Sequence, residues 1–272
     1  MTGFVVRRIG FYTFVAVVLA FFALPLLWLV TAPFTDTPTY EVKVPDFTPA
    51  NFQAIVEHPY ALGSLVNSII LAVGTAALVV LFASLAAYAL SRVRLPGRDA
   101  LLYALLLLSS IITGTAAMVP LFQLAVTVGL IDSQLGLILI LTGGLLPAAI
   151  FMLKDFMDST PKSYEESARV FGASPLQIVG HIVVPLVRPG LATIAVWALA
   201  NVWGNFLMPY LLLSDVEKQP AAVIMYTLYT EGGQPNLRLL STFGLLYSIP
   251  VVLMYLFVSK KYGFRFHGGI KR

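Results

Sequence analysis

Residues 160–189 read TPKSYEESARVFGASPLQIVGHIVVPLVRP, a long polar stretch in an otherwise apolar chain. Thr160 followed by Pro161 signals a helix start, because the hydroxyl accepts from free N–H groups and proline fits the first helical turn. Ser163 with Glu166 offers a capping box as an alternative start. Gly172 stops that helix. Ser174, Pro175 and Gln177 repeat the signal, with Ser174 as cap and Gln177 at the third helical position, so a second helix runs from Pro175 towards Pro185. The spacing predicts a helix–turn–helix at a membrane surface. It exposes Tyr164, Val170 and Phe171 beside Glu165, Glu166 and Arg169, which suits a docking knob for a soluble protein or an interfacial helix resting on lipid. Glu166 can cap the helix, contact a partner, or do both.

The surroundings of this stretch set the class. Of 272 residues, 58% are hydrophobic and 11% charged, against roughly a quarter charged in soluble domains. Apolar runs at about 9–34, 65–90, 100–128, 134–152, 189–213 and 241–258 each approach the roughly 20 residues that a bilayer requires. The expectation is an all-α, polytopic membrane protein: a single transmembrane domain over 1–272 with six transmembrane helices and a polar loop at 160–188. The first run exceeds the roughly 7–15 residues of a secretory signal core, and Pro33 follows the one small-residue cleavage site at Ala32, so it counts as a span. Residues 35–63, with Pro38, Pro45, Pro49 and Pro59, read as an external segment carrying a short helix or two.

Charge orients the spans. Of 17 Lys and Arg, all but Lys43, Lys218 and Arg238 fall on the side that holds both termini and the 160–188 loop. By the positive-inside rule that side is cytoplasmic. The basic excess, a net charge of +4, therefore reflects topology rather than nucleic acid. The absence of cysteine excludes disulfides, cysteine zinc sites and thiol nucleophiles. No Asp, Glu, Lys, Arg or His lies inside the six apolar runs, which argues against a proton antiporter or voltage sensor, because such machines retain intramembrane charges, while sodium coupling through backbone carbonyls stays open. His58, His181 and His267 have no metal-ligand or triad spacing, so an enzyme is disfavoured.

What the spans hold is neutral and polar. Asn201 and Asn205 lie one turn apart on one helical face, with Trp203 and Tyr210 nearby. Amides that donate and accept, beside aromatic faces, suit an uncharged polyhydroxylated solute. The same amides equally suit hydrogen bonds between helices. Ser109, Ser110, Thr113, Thr115 and Gln123 read more readily as helix contacts, and Gly143-Gly144 as a site of close helix packing.

Glu166-Ser167-Ala168, Gly172 and Val184-Pro185 resemble the coupling loop of bacterial ABC importer permeases, with the family's spacing. Ser167 stands where the family has Ala, and Phe171 where the carbohydrate branch has Asp. Further segments resemble the maltose-permease type: Asn67-Ser68, residues 86–92 leading to Leu95-Pro96-Gly97-Arg98, residues 129–133, residues 203–209, and Gly268-Gly269-Ile270-Lys271. In the tryptophan motif Gly204 intervenes before Asn205, where the family has Asn directly after Trp.

The resemblance implies a subunit that pairs with a sister permease, two ATP-binding subunits and an extracytoplasmic solute-binding protein. ATP and Mg then belong to the ATPase subunits, since this chain has no GxxxxGK[ST] phosphate loop. It further implies an ATPase-coupling loop containing Glu165, Glu166, Ala168, Phe171, Gly172, Pro175 and Pro185, and an ATPase-interface tail at Gly268, Gly269 and Lys271. The substrate path would include Asn201, Trp203, Asn205 and Tyr210. The expected function is ATP-driven import of a sugar, a di- or oligosaccharide, by alternating access. The alternatives are the same machine carrying a polyol or glycerophosphodiester, or a non-transporting scaffold that docks a soluble partner.

Overall fold

The structure is a computed structural model that describes residues 2–93, 96–112, 117–230 and 235–262. Its described residues form helices and connecting turns, the economical solution for a chain in lipid, where a helix satisfies its backbone polar groups internally. In chain order these are α1 (Thr2–Thr31), α2 (Ala50–Glu57), α3 (Ala61–Arg92), α4 (Arg98–Ile112), α5 (Met118–Thr127), α6 (Gln134–Asp158), α7 (Ser163–Val170), α8 (Pro175–Ile178), α9 (Val184–Trp203), α10 (Leu207–Leu212), α11 (Ala221–Thr230) and α12 (Leu237–Tyr262). A π-helical stretch, Val179–Val183, joins α8 to α9 without a break.

Five described segments are long and apolar enough to cross a membrane: Arg7–Phe34, Ala61–Arg92, Gln134–Asp158, Pro175–Trp203 and Leu237–Phe257. The expected third span, 100–128, holds α4 and α5 on either side of residues 113–116, which lie outside the described residues. The expected fifth span divides. Pro209 lacks an N–H for the Asn205 carbonyl, and its ring would crowd that carbonyl, so α9 ends at Trp203 and α10 begins at Leu207. Pro185, expected to end the second loop helix, does not end it. The Val184 N–H reaches back to the Val179 carbonyl, and this wider turn just ahead of Pro185 lets the helix run from Pro175 to Trp203.

The chain divides into two compact units, Met1–Gly63 with Ile224–Val252, and Ser64–Val223 with Leu253–Arg272. In the first, buried Asn51 donates to the carbonyls of Pro33 (3.0 Å) and Thr35 (2.8 Å) and accepts from Arg238 Nε at 2.8 Å. The amide thus ties α2 to the end of α1 and to α12.

The second unit carries the candidate sites and has two apolar cores. One gathers Val79, Ala83 and Ala87 of α3, Leu153 and Met157 of α6, and Ile194 and Ala198 of α9. The other gathers Leu71, Leu137, Leu141, Val202, Met208 and Leu212. Glycine permits close contact between α6 and α9: a Cβ placed on Gly190 would fall 2.6 Å from Phe156 Cγ. Gly143 faces open space, so it is not the close-packing site expected of the Gly143-Gly144 pair.

Beyond the second core, Asp132 adopts a left-handed φ of 55°. Its carboxylate accepts from the N–H groups of Ser214 (3.1 Å) and Asp215 (3.0 Å) and from Lys218 Nζ (3.0 Å). These bonds clasp the turn before α6 to the 3-10 turn Val216–Lys218.

Candidate functional site

The polar stretch folds into the predicted hairpin, although its first helix starts differently. Thr160 caps nothing, because its hydroxyl bonds back to the Phe156 carbonyl at 3.1 Å. Ser163 lies inside α7, whose start at Lys162 has no side-chain cap. The turn is a Schellman motif. Gly172 adopts φ +83°, its N–H reaches the Arg169 carbonyl at 3.0 Å, and the Ala173 N–H reaches the Ala168 carbonyl at 3.0 Å. This arrangement satisfies the last carbonyls of α7. Ala168 and Ala173 both pack against the first apolar core, which anchors the turn. The second helix opens on the expected capping box: Ser174 N–H to Gln177 Oε1 at 2.8 Å, and Gln177 N–H to Ser174 Oγ at 3.4 Å.

The tip of the hairpin is apolar and open. Phe171 is 90% exposed, Val170 and Leu176 each 85%. Glu166 and Pro175 are exposed, and Pro185 is half-buried.

Glu165 departs from the expected exposed face, being only 3% exposed. Consecutive helical residues point about 100° apart, so Glu166 faces outward while Glu165 turns inward. A buried carboxylate needs partners, and Glu165 has two. Arg92 Nε donates to Oε1 at 2.6 Å and the Tyr88 hydroxyl to Oε2 at 3.0 Å. The same guanidinium donates to Ser91 Oγ (3.1 Å) and to the carbonyls of Met157 (3.2 Å) and Thr160 (3.3 Å). Ser91 in turn donates to Asp158, which pairs with Lys154. The ends of α3 and α6 and the hairpin helix α7 are thereby held in one network. In the sequence these charges are 73 residues apart, and nothing in either local pattern pairs them.

At the far end of the helix that begins at Pro175 lies a cavity of about 420 Å³, lined by Met118, Leu141, Gly144, Asn201, Asn205 and Phe206 among others. That volume falls in the range of small-molecule sites. None of its described lining residues is charged. Asn201 donates to the Trp197 carbonyl at 2.8 Å, and the Asn205 side-chain oxygen accepts the Met208 N–H at 3.2 Å. The Asn201 oxygen and the Asn205 amide nitrogen are left to meet other groups. The cavity thus brings the two asparagines together, although Asn205 lies just past the end of α9. Trp203 and Tyr210 do not line it. Tyr210 instead stacks on Phe206, ring centroids 5.2 Å apart. Phe206 and Gly144 line the cavity without having been singled out for it, and nothing in their local pattern distinguishes a cavity wall from packing. The tail residues Gly268, Gly269 and Lys271 lie outside the described residues.

Helices long and apolar enough to cross a membrane, a cavity lined by apolar residues and two asparagines, and an exposed polar hairpin are features of membrane transport components. The chain belongs to the family of binding-protein-dependent transport system inner membrane components, whose signature spans residues 1–263. It is accordingly a multi-pass inner-membrane permease, and its family is not one of enzymes. It is 29% identical to the maltodextrin transport system permease protein MdxG of Bacillus subtilis, over 78% of this chain and 76% of that protein. It is 32% identical to the melibiose/raffinose/stachyose import permease protein MelC of the same organism, over 77% and 76%. A bacterial ABC transporter involved in import of the acidic polysaccharide alginate shares the fold, with a TM-score of 0.78 at 23% identity, covering 94% of this chain and 97% of that one.

Proposed function

We propose that this chain is one of two permease subunits of an ATP-driven importer for a neutral di- or oligosaccharide. The observation that carries the proposal is the continuous 29-residue helix Pro175–Trp203, about 43 Å long at 1.5 Å per residue. It has the exposed hairpin turn at one end and the asparagine-lined cavity at the other. Such a rod lets force applied at Phe171, Val170 and Leu176 reach the site where a solute sits. Glu166, Gly172 and Pro175 present the hairpin to an ATP-hydrolysing partner. Ala168 anchors the turn, and Pro185 lies in the wide-turn joint.

The sugar assignment draws on relatives that carry maltodextrin and melibiose-type sugars. Neutrality draws on the uncharged cavity wall: a carboxylated polymer would find no cation there. The distribution of Lys and Arg supports a cytoplasmic hairpin and cytoplasmic termini. ATP and Mg sit on the partner ATPases, and a solute-binding protein delivers the sugar from the opposite side.

The test is purification of the chain from native membrane with its bound proteins, followed by sugar-stimulated ATP hydrolysis and uptake of maltodextrin, melibiose and trehalose. An ATPase and a second permease should copurify. Gly172→Pro and Glu166→Lys should weaken their association while leaving the spans inserted. Normal uptake by both variants rules out the hairpin as the coupling element.

A further inference from the structure

The hairpin carries adjacent glutamates with opposite surroundings, and the inward one is the more informative. Glu165 is buried against Arg92 and Tyr88 of α3, and the same guanidinium grips the carbonyls of Met157 and Thr160 at the end of α6. Apolar packing of α7 is slight by comparison: Tyr164, Val170 and Phe171 are exposed, leaving the half-buried Ala168 to reach the core. A helix held on its core side by one small side chain needs another grip to pass on a push.

Building on the importer reading, we propose that Arg92 and Glu165 form a force-bearing joint that converts displacement of α7 into movement of α3 and α6. Glu165 acts as a positioning residue, and Glu166 faces the partner. The geometry gives reasons for the joint being ionic and one-handed. A carboxylate taking one bond from a guanidinium and one from a phenol is fixed in direction as well as distance. A carboxylate at position 92 would face the carbonyls of Met157 and Thr160, so a cation suits that place.

The experiment uses the assembled importer in proteoliposomes, comparing wild type with Glu165→Gln, Glu165→Asp and Tyr88→Phe. Uptake and ATP hydrolysis are measured together. Because this chain has no cysteine, Leu207→Cys, on the cavity wall, reports cavity opening through thiol labelling with and without ATP. Glu165→Gln should assemble and hydrolyse ATP within about twofold of wild type. Its uptake per ATP should fall at least about tenfold, and the ATP-dependent change in Leu207→Cys labelling should vanish. Glu165→Asp should recover part of both, and Tyr88→Phe, which keeps the Arg92 bond but loses the phenol's, should fall between wild type and Glu165→Gln. An unchanged uptake-to-hydrolysis ratio in Glu165→Gln overturns the joint. So does a parallel loss of assembly, hydrolysis and uptake, which marks Glu165 as a folding determinant alone. Failure of the wild-type chain to associate with any ATPase instead sinks the importer reading itself, and that control is scored before any variant.

Discussion

Gly190 of α9 lies against the ring of Phe156 of α6 so closely that a methyl group on the glycine would meet Phe156 Cγ at 2.6 Å and its Cβ at 2.9 Å. The ring's own attachment point is involved, so rotation of the side chain gives little relief. Gly190→Ala should therefore lower stability by about 1–3 kcal/mol, the usual cost of overpacking. Phe156→Ala in the same chain should restore part of it, since Cγ and Cδ2 leave while Cβ stays. Thermal unfolding of the four-member cycle in detergent measures the coupling, and additive effects would show that the two helices part freely.

The hairpin turn separates backbone from side-chain effects. Gly172→Ala forces a Cβ into a left-handed conformation and should cost about 1–2 kcal/mol, whereas Gly172→Asn should be milder. Ser174→Ala removes half of the capping box and should cost about 1 kcal/mol. Hydrogen exchange at residues 168–178 reads both, and equal protection in Gly172→Ala and wild type would contradict the turn geometry.

Much of this was legible beforehand. The polar hairpin, its turn glycine and the Ser174–Gln177 box follow from local signals that act within a few residues. Helix ends in the membrane were less legible, because apolar runs measure the bilayer while helix length is set by packing and prolines. Pro209 broke the fifth span, whereas Pro185, eased by the wider turn before it, broke nothing. The Arg92–Glu165 pair was invisible for another reason: long-range ion pairs leave no periodic trace, and adjacent glutamates look alike until a helix face is assigned to each.

Asp132 and Lys218 make a pH prediction. The Asp215 N–H and the Lys218 ammonium hold the Asp132 carboxyl below its ordinary range, about 3.9. Its contribution is present above that value and lost as pH falls through the lowered one. Asp132 and Asp215 hold Lys218 above its ordinary range, about 10.4, so its contribution is present below that value and lost only in stronger alkali. The clasp should be constant from roughly pH 5 to pH 10. Intrinsic-rate-corrected exchange at residues 213–219 checks this, and loosening near pH 7 would contradict it. Asp132→Asn, which tolerates the left-handed backbone, should perturb less than Asp132→Ala.

The cavity asparagines should matter for affinity more than for assembly. Asn201→Ala removes one hydrogen-bonding partner, worth about 0.5–1.5 kcal/mol, and should raise half-saturation for uptake about two- to tenfold. Asn205→Ala should do the same and also loosen the start of α10, whose Met208 N–H it accepts. Unchanged uptake kinetics in both variants would remove the cavity from the transport path.

The π-helical stretch Val179–Val183 has a consequence for how this sequence can drift. One extra residue in a turn rotates everything beyond it by roughly 100°. The azimuth of the hairpin relative to that at which Asn201 meets the cavity is therefore set by this one turn. Deleting Gly180, exposed and with open space around it, would tighten that turn to an ordinary helix and swing the hairpin tip about a quarter-turn relative to Asn201. This one spacer residue thus fixes how the hairpin and the asparagines face one another about the rod.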